Sequence, residues 1–180
     1  MTPWPRGRAR HGGIDQLPLP QGPGRLWLCG KHAVGPDHIA LMAEVGADLV
    51  VCLCEPSELV ERYPGYVEWL EAEVRPGGQA IWFPIPDLHA PPADQVRSLL
   101  DELGDSVRLG RRMVMHCGAG FGRTGTLAAA LLMHMGVPPD EAVSAVRRAR
   151  PMAGPEVGAQ EDLLADLASG ASGLNYPSPA

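Results

Sequence analysis

Ten consecutive residues, His116-Cys117-Gly118-Ala119-Gly120-Phe121-Gly122-Arg123-Thr124-Gly125, constrain this chain more than any other stretch. The apolar run Arg112-Met113-Val114-Met115 leads into them and reads as a buried strand. Leu127 to Met135, rich in Ala, Leu and Met, leads away and reads as a helix. The segment is therefore a strand–loop–helix unit, with Gly118, Gly120 and Gly122 in the turn and Cys117 at the strand's end. A strand that feeds a helix through a glycine turn belongs to α/β folds, in which functional loops gather at the carboxyl ends of strands.

Such a turn has a definite chemistry. Glycines let successive backbone N–H groups face inward as a nest, and a helix N-terminus adds a positive dipole end, so the loop suits an anion. Arg123 adds a planar fork matched to two phosphate oxygens. Cys117 falls at the bottom of that field, which favours a thiolate as it favours a phosphate. A sulfur beneath a cradled phosphate is a nucleophile aimed at phosphorus, and the Thr124 hydroxyl is placed to serve the sulfur when it leaves again. Gly118, Ala119, Gly120, Phe121, Gly122 and Arg123 are the candidate phosphate-binding residues, with Cys117, Arg123 and Thr124 the candidate catalytic ones.

The rest of the chain sets bounds on this reading. At 180 residues it is long enough for one domain with a sizeable core. No run is long and apolar enough to span a bilayer, and residues 1–24 lack the apolar centre of a secretory signal, so a cytoplasmic protein with no membrane partner is expected. The net charge of −6 argues against nucleic acid as a partner, despite the small basic group Arg6, Arg8 and Arg10. Cys29, Cys52, Cys54 and Cys117 are scattered, and Cys52-x-Cys54 lacks zinc-knuckle spacing; neither metal nor cofactor is expected.

Residues 1–24, dense in Pro, Gly and Arg, read as an extended arm, 25–169 as the folded domain, and 170–180 as a flexible tail. Leu26 to Gly30 is a short strand. Pro36 opens a helix that Gly46 closes. Asp48 to Cys54 is an apolar run of strand length, expected to be an inner strand. Tyr66 to Val74 is a helix, Ala80 to Ile85 a strand and Ala93 to about Leu109 a helix with one apolar stripe. Helices over Glu141–Ala149 and Glu156–Ala168 complete the chain.

The run from His116 to Gly125 resembles the protein tyrosine phosphatase signature H-C-x-x-G-x-x-R-[ST]-G and matches it at every fixed position. The order strand, Asp87, loop, helix, strand, Cys117 is similar to that of the dual-specificity phosphatases. Phe83-Pro84-Ile85-Pro86-Asp87 and Val51-Cys52-Leu53-Cys54-Glu55-Pro56-Ser57-Glu58-Leu59 resemble the P-I-x-D and F-C-x-x-x-E-L stretches of the branch typified by cyclin-dependent kinase inhibitor 3. The resemblance covers about residues 24–168. It implies one domain with a central, mostly parallel, mixed sheet flanked by helices, and the phosphate loop between a strand and a helix.

The resemblance also implies roles. Asp87 becomes the general acid, protonating the leaving group and then activating water; a turn-capping Asp is the plainer alternative, and Asp94 is a rival that looks more like a first-turn helix residue. His89 is an exposed loop residue near substrate. His116 becomes a support for the loop. Arg147-Arg148-Ala149-Arg150-Pro151 with Gln160 resembles R-x-x-R-P…Q, in which the Gln helps position water; an exposed helix Gln is the alternative. Arg147 and Arg150 become braces for the loop, or a basic helix end complementing the dipole. Cys54, or Cys52, becomes a redox partner that traps Cys117 as a disulfide, with a buried apolar cysteine as the plainer alternative.

The activity so implied is hydrolysis of phosphomonoesters through a cysteinyl-phosphate intermediate. The substrate is phosphotyrosine, with phosphoserine or phosphothreonine also open, on a protein or peptide, and the enzyme is expected to be a monomer. The uncharged loop residues Gly118, Ala119 and Phe121 weigh against inositol phosphates, whose extra phosphates want basic partners. Small-molecule, lipid or polyol phosphates, a rhodanese-type sulfur transfer and a non-catalytic phosphopeptide-binding module remain as alternatives. A nucleotide P-loop is excluded because no Gly-Lys-[Ser/Thr] is present at the loop.

Overall fold

Strand β5 (Arg112–Cys117) runs up the middle of a five-stranded sheet and delivers Cys117 to its upper edge. The computed structural model describes residues 12–170, so Arg6, Arg8, Arg10 and the tail after Gly170 lie outside the described residues. In chain order the elements are β1 (Asp15–Leu17), β2 (Arg25–Gly30), α1 (Lys31–Val34), α2 (His38–Val45), β3 (Leu49–Cys52), a 3₁₀ turn (Pro56–Glu58), α3 (Pro64–Glu73), β4 (Ala80–Trp82), α4 (Ala93–Arg108), β5, α5 (Gly122–His134), α6 (Pro139–Ala149) and α7 (Gly158–Gly170). The sheet order is β1-β2-β5-β3-β4, parallel throughout except for β1, which pairs antiparallel with β2.

Period-two alternation divides the core into two layers. Met113, Met115 and Cys117 of β5, with Leu49 and Val51 of β3, face the side covered by α4, α5, α6 and α7. Val114 of β5, with Val50 and Cys52 of β3, faces the side covered by α1, α2 and α3. Buried on both faces, these strands read as continuous apolar runs, as parallel strands do. Helix α5 is the most enclosed helix; Gly122 to Leu132 are all buried. No helix among the described residues is long and apolar enough to cross a membrane.

Most element positions agree with the sequence reading to within a few residues, but the short helix α1 was not expected, α5 starts at Gly122 rather than Leu127, and three further differences stand out. Of the expected strand 48–54, β3 spans Leu49–Cys52; Asp48 and Leu53 still donate to the Arg112 and His116 carbonyls at 2.8 and 2.9 Å, and the chain then turns to present residues 54–58 to the phosphate loop. The expected strand 80–85 closes at Trp82, yet Phe83 and Ile85 still donate to the carbonyls of Cys52 and Leu53 at 2.9 and 3.1 Å. The arm expected over 1–24 is part of the fold from Gly12 on: β1 pairs with β2, and Leu17 is buried in the main core. Three strand residues between prolines and glycines are too few to show a period, so no sequence pattern announces them.

Candidate active site

The loop over residues 117–122 is held in place from below and from behind. Gly120 has φ +77°, and a Cβ there would stand 2.1 Å from the Cys29 carbonyl oxygen, so the loop rests directly on the end of β2. The Gly118 carbonyl accepts from Lys31 N–H at 3.0 Å. Gly125 is equally confined: a Cβ would lie 2.0 Å from Gly154 N. Arg150, fully buried, donates from Nε to the Gly120 carbonyl at 2.8 Å and from Nη2 to the Ala119 carbonyl at 3.0 Å. Its Nη1 reaches the Gly12 and Gly13 carbonyls and the Asp15 carboxylate, and its guanidinium stacks 5.0 Å from the Phe121 ring. Arg150 therefore is a brace, whereas Arg147 is exposed and makes no such bond to the loop.

With its carbonyls tied backward, the loop wraps a cleft of about 370 Å³ lined by Cys117, Gly118, Phe121, Arg123, Asp87 and Leu88, among others. A larger cavity of about 490 Å³ adjoins it across His32, but Cys117, Arg123 and Asp87 all line the smaller one. Arg123, buried to 3 % exposure, is clamped by a residue the motif does not contain. Glu58 takes both guanidinium amino groups, Oε1 from Nη1 at 2.6 Å and Oε2 from Nη2 at 2.9 Å, and the Ile85 carbonyl accepts from Nη1 at 2.7 Å. Partial burial alone would raise the Glu58 carboxyl; the hydrogen bonds from Arg123 and from Glu55 N–H outweigh it and hold the group below the ordinary value. Burial likewise opposes the charge on Arg123, and Glu58 more than restores it, so the guanidinium is held still more firmly protonated.

Two buried polar atoms have no partner among the described residues: Arg123 Nε and the Thr124 hydroxyl. Both belong to the first turn of α5, directly after the loop that carries Cys117, and buried donors as a rule are satisfied. Cys117 lies at the floor of this loop, 3 % exposed. Asp87 reaches the same point from the opposite wall: its Oδ1 is 3.1 Å from Arg123 Nη2, and its side chain is 70 % exposed. The loop carrying it is a tight turn, with His89 N–H donating to the Pro86 carbonyl and Leu88 at φ +60°.

The remaining sequence candidates sit around this centre. His116 is buried on the face away from the cleft; Nε2 is 2.7 Å from the Tyr66 hydroxyl, and Nδ1 is 3.4 Å from the Cys117 carbonyl. Gln160 is buried, not an exposed helix residue. Its Oε1 accepts from Glu156 N–H at 2.9 Å and from the Thr126 hydroxyl, and its Nε2 donates to the His89 carbonyl, so it ties the Asp87 loop to α5 and to the start of α7. His89 is exposed and turns back to the Asp87 carbonyl at 2.7 Å. Asp94 is in the first turn of α4. Cys54 and Cys52 are buried and free, and their sulfurs and a ring nitrogen of His116 lie within 4.8 Å of one another. The sequence reading missed Glu58, Tyr66 and the cleft wall residue Leu88. Glu58 stood inside the quoted E-L stretch, and the need of a buried Arg for a carboxylate was the available signal.

The model of the "Swiss Army Knife protein, DSP-PTPase phosphatase domain" matches residues 22–162 of this chain. Among solved structures, Tk-PTP in its active form is 27% identical, with a TM-score of 0.65 over 86% of this chain and 97% of its own. Kinase-associated phosphatase is 19% identical at TM-score 0.72, over 91% of this chain and 97% of its own. PTPMT1, solved in complex with PI(5)P, is 18% identical at TM-score 0.67, over 81% and 90%. The last two likenesses establish shared fold. Family match, fold and loop agree, and the chain belongs to the cysteine-based phosphatases of the dual-specificity and protein-tyrosine type.

Proposed function

We propose that this phosphatase hydrolyses phosphotyrosine on proteins or peptides through a cysteinyl-phosphate intermediate. The observation that carries the proposal is the pair of orphaned donors, Arg123 Nε and Thr124 Oγ1, directly after the loop that holds Cys117. A phosphate in the loop satisfies Arg123 Nε and meets the inward N–H groups of the turn. The Cys117 sulfur attacks phosphorus from below, the P–O ester bond breaks opposite, and Asp87 gives its proton to the departing oxygen. Asp87, now a carboxylate, takes a proton from water; the water oxygen attacks phosphorus, and the S–P bond breaks with the Thr124 hydroxyl donating to the sulfur.

The walls favour an aryl ester. Phe121, Leu88 and Ala119 are apolar side chains lining the cleft; Gly118, Ala119 and Phe121 bring no cation for further phosphates, and Lys31, the one lysine in the lining, donates from Nζ to the Glu58 carbonyl at 3.0 Å. Tk-PTP, at 27% identity, supports the same class.

The test is hydrolysis of an aryl phosphate and of phosphotyrosine, phosphoserine and inositol-phosphate substrates by wild type and Cys117→Ser in EDTA. Activity of wild type on the aryl esters above all others, lost in the variant, supports the proposal. Inactivity of wild type with retained vanadate binding makes the loop a phosphate reader; preference for an inositol phosphate moves the substrate class.

A further inference from the structure

The cleft leaves unexplained a group of soft and polar side chains directly behind it. The face of the sheet covered by α1, α2 and α3 is packed with Val, Leu and aromatic residues, yet Cys52, Cys54, Tyr66 and His116 meet there. Their meeting follows from register. In the parallel pair β3–β5, Cys52 is the direct partner of His116, so both point to the same face. Leu53 N–H donates to the His116 carbonyl at 2.9 Å, which carries the pairing one residue further and returns Cys54 to that face. The two sulfurs and an imidazole nitrogen lie within 4.8 Å of one another, all buried. The Tyr66 hydroxyl stands beside them, 2.7 Å from His116 Nε2.

We propose that Cys52, Cys54 and His116 form a zinc site behind the phosphate loop, with the Tyr66 hydroxyl beside the fourth position. The donors are two sulfurs and one imidazole, the set that zinc takes in tetrahedral sites. Bond lengths of about 2.3 Å to sulfur and 2.0–2.1 Å to nitrogen put tetrahedral ligands about 3.4–3.8 Å apart. Ligand atoms already within 4.8 Å need to close by about 1 Å. Charge also balances. Zn²⁺ displaces one proton from each thiol, two protons leave, and the resulting dithiolate complex with a neutral imidazole has no net charge to bury. Cys-x-Cys spacing alone misses this site because the third ligand comes from the neighbouring strand.

The site would act on the loop. His116 precedes Cys117, and its Nδ1 faces the Cys117 carbonyl, so a metal that draws the ring toward the sulfurs pulls on the loop from behind. Zinc binding stands independently of the phosphatase reading; only its effect on rate rests on that reading.

The experiment loads full-length protein with zinc sulfate alone, in wild type and in Cys117→Ser, with and without inorganic phosphate. One retained zinc per chain is expected in both proteins and at saturating phosphate. X-ray absorption on wild type should show two sulfur neighbours and one imidazole. Cys52→Ala and Cys54→Ala should each weaken zinc binding about a hundredfold or more. Inhibition of wild type should be slow in onset and not competitive with the aryl phosphate. Zinc lost in Cys117→Ser, or displaced by phosphate, would place the metal on the nucleophile and overturn the proposal. So would a zinc shell with fewer than two sulfurs, a reading on wild type that stands even where the alanine variants do not fold.

Discussion

On the proposed reading Arg123 receives an anion while itself buried, and a buried cation needs a fixed carboxylate. Glu58 supplies it through both oxygens, which leaves Nε directed elsewhere and without a partner. Glu58→Gln removes the charge and keeps the shape. It is expected to cost about 1.5–3 kcal/mol of transition-state binding, roughly 10- to 150-fold in kcat/KM, read from aryl phosphate kinetics. The same substitution tests a stability effect. A carboxyl held below its ordinary value contributes stability in full above the unfolded value of about 4.3 and loses it as pH falls through the lower folded value. Wild type should therefore lose stability in that acid window more steeply than Glu58→Gln, as followed by urea midpoints from pH 6 to 3. Asp87, across the cleft, is tested by rate alone. Asp87→Ala should lower kcat by about 10²- to 10⁴-fold on esters with poor leaving groups, and should abolish the alkaline fall of the rate profile. A profile unchanged in shape would return Asp87 to the role of a turn residue.

At the scale of elements, the strand–loop–helix unit was legible because its chemistry and its geometry make the same demands on sequence. Glycines are required where the loop rests on β2, and apolar residues where β5 and α5 are enclosed. Gly120→Ala tests the first demand. Its φ of +77° and the Cys29 carbonyl 2.1 Å from a Cβ force the loop to move, with strain of about 1–2 kcal/mol, roughly tenfold, in vanadate affinity. Gly65→Ala in α3, where a Cβ meets nothing within 4 Å, is the control and should leave vanadate affinity unchanged. What was not legible shares a cause: it depends on contacts between distant segments. The β1 strand has no period of its own, and Gln160 looks like any helix glutamine until its carboxamide is seen bound to residues 89, 126 and 156. The clustering of Cys52 and Cys54 with His116 exists only through the β3–β5 register.

Across the whole molecule one side chain joins the start of the described chain to its centre. Arg150, the residue that follows α6, donates to the Ala119 and Gly120 carbonyls. It also donates backward to Gly12, Gly13 and Asp15, more than 130 residues earlier. None of its donors is idle, so the phosphate loop and the edge strand β1 share one support. Arg150→Met keeps most of the apolar stem and removes the fork. It takes the cation from beside the Asp15 carboxylate, which is 12% exposed at the side chain, and the donors from the loop carbonyls. A loss of about 3 kcal/mol is expected by denaturant unfolding. Arg150→Lys should recover little of it, because an ammonium cannot reach carbonyls and a carboxylate on three sides as a planar fork does. Asp15→Asn removes one acceptor's charge while leaving the loop carbonyls bonded. It should therefore lower stability without lowering kcat, whereas Arg150→Met should lower both. If Asp15→Asn slows the reaction as much as Arg150→Met does, β1 acts on the catalytic loop directly, and the shared-support account fails.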